Sequence, residues 1–163
     1  MDDRTRTGIG FDSHRLIVGR ALVLGGVRIP YEMGLEGHSD ADVLTHALMD
    51  ALLGAAGMGD LGGHFPDTDD RYKGADSLTL LKKVLGLLRG DGWEAVNVDA
   101  TLLAERPKMG PFIPRMILKL ENAGLGPGTV NIKATTGEGM GFVGRGEGLA
   151  AIAVALIRRK SRR

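Results

Sequence analysis

Cysteine is absent from this 163-residue chain. That excludes disulfides and thiol chemistry and fits a reducing, cytoplasmic compartment. Aromatic residues are scarce: one Trp, two Tyr and four Phe, scattered along the chain, form no array of stacking faces for nucleic acid. Charge of one sign is not in excess. Lys and Arg number 21 against 20 Asp and Glu, so the net charge of +1 sets up no global attraction for nucleic acid. No apolar run reaches transmembrane length, and Met1-Asp2-Asp3-Arg4 lacks the apolar core of a signal peptide.

What remains is a chain of single-domain size, 1–163, able to bury about 68–70% of its unfolded surface. Its end, Arg158 to Arg163, reads as a basic, solvated tail. The 26 glycines form neither a linker nor a repeat; they punctuate, most densely from Gly137 to Gly148.

Alternating patterns predict strands over Thr7–His14 and Ala21–Ile29, the two open to pairing as a hairpin, then Trp93–Leu103, Val130–Thr135 and Gly148–Ile157. Helices are predicted from Ala41 to about Gly57, capped by Ser39 or Asp40, from Leu78 to Arg89, capped by Asp76 or Ser77, and from Pro111 to Gly124. Asp60 to Tyr72 reads as a polar loop. The result is one α/β or α+β domain, a sheet with helices on a face.

Three of the four histidines fall in two segments, Asp12-Ser13-His14 and His38 to His46. Asp12 and His14 are two apart in a strand and share a face. With His46 they make a three-ligand set for a divalent metal with an open position, as in a catalytic zinc site. An Asp-x-His pair also serves ordinary hydrogen bonding. On the helix, Asp42, His46 and Asp50 form one polar stripe, which a surface helix can carry for solubility. The rest of that helix is almost wholly apolar, so the stripe reads as the wall of a site, with a carboxylate fixing the second nitrogen of His46. His64 reads as structural.

Longer runs carry a family resemblance. They include Gly10-Phe11-Asp12-Ser13-His14, Gly25-Gly26-Val27-Arg28-Ile29-Pro30, His38-Ser39-Asp40-Ala41-Asp42-Val43, Gly59-Asp60-Leu61-Gly62, Phe65-Pro66-Asp67-Thr68-Asp69, Lys73-Gly74-Ala75-Asp76-Ser77, Arg106-Pro107-Lys108-Met109, Lys133-Ala134-Thr135-Thr136 and Gly141 to Gly148. Together and in this order they resemble the 2-C-methyl-D-erythritol 2,4-cyclodiphosphate synthase family.

The resemblance implies a ferredoxin-like sheet in a homotrimer, its strands around a three-fold axis. It implies a cytidine diphosphate-linked substrate, 4-diphosphocytidyl-2-C-methyl-D-erythritol 2-phosphate, cyclised with release of CMP. Asp12, His14 and His46 match the zinc ligands, and Glu138 the carboxylate for a magnesium or manganese ion on the diphosphate. His38 and Thr136 match transition-state-stabilising residues, and Ser39 a phosphate contact. Asp60, Leu61, Gly62 and the loop Phe65 to Asp69 match the methylerythritol segment. Ala104, Glu105, Arg106, Pro107, Lys108, Met109 and Gly110 match the cytidine pocket, with Thr135 and Gly137 beside Thr136. Phe142 and Arg145 lie in a segment that implies an isoprenoid diphosphate on the three-fold axis. Three positions depart from the common pattern: Ala41 for glycine, Met109 for leucine, and Gly137 for threonine or asparagine, the last expected to loosen its loop. Asp60, Asp67 and Asp69 also suit plain turn formation. Two rival classes stay open: a metal-dependent phosphohydrolase using water, and a non-catalytic binding module.

Overall fold

A computed structural model describes residues 5–160. The elements in order are β1 (Thr5–Val18), β2 (Leu22–Leu24), β3 (Val27–Ile29), β4 (Met33–Leu35), α1 (Val43–Ala56), α2 (Leu61–His64), α3 (Ser77–Gly90), β5 (Trp93–Leu103), α4 (Ile113–Leu120), β6 (Val130–Thr135), α5 (Gly141–Gly144) and β7 (Gly148–Arg159). The five-stranded sheet runs β4-β1-β7-β5-β6. β7 is antiparallel to both β1 and β5, while β5 and β6 are parallel and joined through α4. That adjacent parallel pair departs from the expected ferredoxin-like arrangement, in which a strand splits each βαβ unit. The mixed α/β domain itself is as expected.

One seam sets the geometry. Gly8 and Gly10 of β1 face α1, and a Cβ at either would come within 2.1 Å of the Ala51 carbonyl oxygen or 1.9 Å of that of Ala47. Ala151, Ala153 and Ala155 of β7 are also buried. Small residues on both elements let the helix backbone settle against the strand, which brings a side chain at position 46 onto those at 12 and 14. Around the seam lies the core of Leu44, Leu48, Leu52, Leu81, Leu88, Trp93 and Leu102. β5 keeps Trp93 and the set Val98, Ala100 and Leu102 all buried because a bulge between Ala95 and Asn97 shifts the alternation.

Several sequence expectations need correction. Ala21–Ile29 is not one strand but a hairpin of its own. Gly25 and Gly26 have φ of 55° and 70°, the pair of positive values a two-residue primed turn requires. β1 pairs instead with β7 and the short β4. The cap of α1 is Asp42, whose carboxylate accepts from the Thr45 N–H and from those of Gly25 and Gly26. Asp42 is thus a fully buried tie between helix and hairpin, not the wall of a site. The Asp60–Tyr72 segment holds α2 and a 3₁₀ turn at Asp70–Tyr72, with Asp60 and Asp69 as caps. Arg158 and Arg159 belong to β7: Arg158 pairs with Glu94 at 2.6 Å, and Arg159 stacks on Trp93. Met1 to Arg4 and residues 161–163 of the basic tail lie outside the described residues.

Candidate metal centre and phosphate-binding corner

The expected three-ligand set converges. Asp12 Oδ2 lies 3.0 Å from His14 Nε2 and 3.0 Å from His46 Nδ1. One donor atom from each residue sits within 4.8 Å of the others. His14 Nε2 is buried and, among the described residues, has no hydrogen-bond partner of acceptable geometry, despite its closeness to Asp12. A buried imidazole nitrogen aimed at a carboxylate and a second imidazole fits a divalent ion, which needs such lone pairs. Burial opposes ionisation of Asp12, but the flanking imidazoles of His14 and His46 outweigh it and hold its carboxyl well below the usual range. Burial likewise opposes the charged form of His46. The Asp12 carboxylate, with Asp42 and Asp40 farther off, outweighs that and raises its pKa.

The far side of His46 is a second correction. Neither carboxylate of the predicted stripe reaches it: Asp42 is spent on the helix cap, and Asp50 accepts from the Leu61 N–H. His46 Nε2 instead lies 2.9 Å from Ser77 Oγ and 3.3 Å from Ser39 Oγ. Ser77, fully buried at the start of α3, donates its hydroxyl to Asp40 Oδ1, and its backbone N–H reaches Asp40 Oδ2 at 3.0 Å. The sequence pattern marks Ser77 only as a candidate helix cap and gives Asp40 no such role. Arg20 was missed as well. Its guanidinium donates to the carbonyls of Gly37 and Ser39 at 2.6 and 2.7 Å and so pins the loop that carries His38. His38 Nε2 in turn lies 3.4 Å from the Asp69 carbonyl, joining that loop to the Phe65–Asp69 segment. His64 Nε2 meets the Met58 carbonyl at 2.8 Å.

A second group of predicted residues gathers elsewhere. Thr135, Thr136 and Glu138 are exposed at and beyond the C-terminal end of β6. Thr136 Oγ1 lies 3.3 Å from Glu138 Oε1, and Glu138 has a φ of 51°. The Ala104–Gly110 segment runs alongside. The Ala104 N–H donates to the Thr135 carbonyl at 2.9 Å, and the Glu105 carboxylate accepts from the Gly137 N–H at 3.0 Å. Gly137 does not loosen this loop. A Cβ there would meet Gly144 N at 2.6 Å and Met140 O at 2.7 Å, so the glycine lets two turns close-pack.

The two groups stay apart within one chain. Ser13, Ala150, Leu103 and Thr135 form one row across β1, β7, β5 and β6. Three strand spacings place Thr135 roughly 14 Å from the Asp12–His14 stretch. Both corners nevertheless occupy the C-terminal end of their parallel strands, a usual site for ligands in α/β sheets. Near His14, a cavity of about 220 Å³ is lined by Ser13, Arg15, Phe142, Glu147 and Gly148. Arg145 itself is exposed and paired with Glu147 at 2.7 Å. The opposite sheet face bears exposed Ile9, Phe11, Ile152 and Val154, which are 71, 55, 38 and 45% accessible.

The YgbB family profile matches residues 5–158. A 2-C-methyl-D-erythritol 2,4-cyclodiphosphate synthase of Symbiobacterium thermophilum is 62% identical over 151 residues, 92% of this chain and 96% of that one. A solved 2C-methyl-D-erythritol-2,4-cyclodiphosphate synthase in a CDP-bound form is 38% identical with a TM-score of 0.85, over 93% of this chain and 99% of that one. The bifunctional IspDF of Campylobacter jejuni is 42% identical with a TM-score of 0.92. This chain is 96% covered there but spans only 43% of that longer protein. The chain belongs to the YgbB family.

Proposed function

We propose that this chain is a cyclodiphosphate synthase of non-mevalonate isoprenoid precursor biosynthesis, working in the cytoplasm. It converts 4-diphosphocytidyl-2-C-methyl-D-erythritol 2-phosphate to 2-C-methyl-D-erythritol 2,4-cyclodiphosphate and CMP. An oxygen of the 2-phosphate forms a bond to the β-phosphorus, the bond from that phosphorus to the α-phosphate oxygen breaks, and CMP leaves with the electron pair. A phosphate monoester has a second pKa of about 6, so the nucleophile is already ionised and no general base is needed. The barrier is the meeting of two anions, and catalysis is positioning plus charge stabilisation.

Asp12, His14 and His46 would hold zinc, and Glu138 would share a magnesium or manganese ion with the diphosphate. When bound, these ions supply Lewis acidity toward phosphate oxygens. His38, Ser39 and Thr136 donate toward the reacting phosphates. Asp60 to Gly62 and Phe65 to Asp69 hold the methylerythritol hydroxyls. Ala104 to Gly110, packed against Thr135 to Gly137, reads the cytosine through its backbone. The observation that carries the reading is the convergence of Asp12, His14 and His46, with His14 Nε2 left without a hydrogen-bond partner among the described residues. The reaction run in oxygen-18 water tests it. CMP and cyclic diphosphate in equal amounts, with no label in the cyclic product, are expected; labelled, acyclic product would make the protein a hydrolase.

The same reading makes the working form a homotrimer whose sites lie between subunits. Its support is the separation of the two corners and the exposed apolar strip Ile9, Phe11, Ile152 and Val154. A cyclic assembly covers that strip with copies of itself. Phe142 and Arg145 then stand near the axis, Arg145 suited to the phosphate of an isoprenoid diphosphate.

A further inference from the structure

We infer that Ser77 and Asp40 are positioning residues that fix the proton of His46 on Nε2 and leave Nδ1 free as a metal donor. The inference rests on the proposed metal site. Ser77 Oγ is fully buried, and its single proton goes to the Asp40 carboxylate. Its remaining lone pairs can only accept, and the nearest donor is His46 Nε2 at 2.9 Å. A neutral imidazole that donates from Nε2 has its lone pair on Nδ1, the nitrogen 3.0 Å from Asp12 Oδ2.

The arrangement also excludes a competitor. Ser39 Oγ lies 3.3 Å from the same Nε2 and accepts from the Ala41 N–H, so its own proton is free to point at the imidazole. Donation from Ser39 would move the His46 proton to Nδ1 and block ligation. Ser77, closer and with its proton committed to Asp40, decides the tautomer. Asp40 is held in turn by the Ser77 and Asp42 N–H groups, at 3.0 and 3.2 Å. The starts of α1 and α3 thereby lock the ring that α1 presents to β1.

The test is zinc affinity of the purified full-length chain, measured by competition with a chromophoric chelator. Wild type is expected to bind zinc. Failure to do so removes the metal site and this inference together. Given wild-type binding, Ser77→Ala, which keeps the backbone bond to Asp40, should bind zinc about 10–100-fold more weakly. Asp40→Asn should fall between the two. A Ser77→Ala protein that melts lower without zinc yet binds zinc like wild type gives Ser77 a purely structural role and overturns the inference while sparing the metal site. Should Ser77→Ala not fold, wild type decides. Nitrogen-15 histidine spectra of the zinc-loaded protein should show a slowly exchanging proton on His46 Nε2, and a proton on Nδ1 would contradict the assignment.

Discussion

The corner around His46 and the corner around Thr136 stand at the same end of one sheet, yet they are built differently. At His46 the ring is held from behind. α1 sits on a glycine seam, Ser77 and Asp40 brace the ring, and Arg20 ties down the adjoining loop. At Thr136 the side chains are exposed, and their contacts are mostly with one another or with the neighbouring Ala104–Gly110 segment. The first corner is complete enough in one chain to bind an ion. The second, on this account, becomes half of a site only when another copy brings its own metal corner against it.

Breaking the metal corner should have the largest effect. His46→Ala should lose zinc by elemental analysis and lower cyclase turnover by several orders of magnitude, since a positioned Lewis acid is gone. Full zinc occupancy in that variant would remove His46 from the ligand set. The seam beneath it is the next target. Gly10→Val forces a side chain into the Ala47 carbonyl and should destabilise the fold by about 3 kcal/mol or more. Gly86→Ala, at an exposed helical glycine with open space around it, should stabilise by about 1 kcal/mol. Denaturant melts of the two variants would show whether the close approach of α1 to β1 matters as described.

Thr136→Val probes the exposed corner. It should cost about 10²–10³ in turnover while leaving melting temperature and zinc content unchanged. A loss of zinc would erase the distinction between the corners. Acid and base should also act chiefly on the metal corner of the zinc-free protein. His46, raised above 6.5, stabilises the fold below that pH and loses its contribution as pH rises through its folded value. Asp12, held below 3.8, contributes above that pH and loses its contribution only as pH falls through its folded value. The pair therefore stabilises most between about pH 4 and 6.5, and Asp12→Asn should lower stability across that window and flatten the falls on either side of it. Smallest of all, Ala41→Gly should be close to neutral, its relief of a φ of 54° worth about 1 kcal/mol and offset by a more flexible unfolded chain.

The long periodic elements were legible in advance. β5 and β6 have the predicted bounds, and the alternation of Ile152, Val154 and Leu156 rightly favoured a strand over an alanine-rich helix. The Asp12, His14 and His46 set was legible because strand and helix periods put its members on facing surfaces. The hairpin at Gly25-Gly26 carried its turn signal in plain view, but the apolar run through it read as one strand. β4 has only three residues, too few for a period to register. Ser77 and Asp40 were not legible as supports of His46. They lie 37 positions apart, and a hydroxyl at a helix start looks like a cap until the fold places an imidazole against it. The separation of Thr136 from the zinc ligands depends on strand order, which local pattern does not encode.

Complementation between copies tests most directly whether the two corners belong to one shared site. His46→Ala and Thr136→Val homo-oligomers should each be nearly inactive. Co-refolded mixed oligomers, with their composition verified by mass, should regain a fraction of wild-type activity, because some interfaces then pair an intact metal corner with an intact Thr136. Verified mixed oligomers with no activity above the two parents would contradict the shared site.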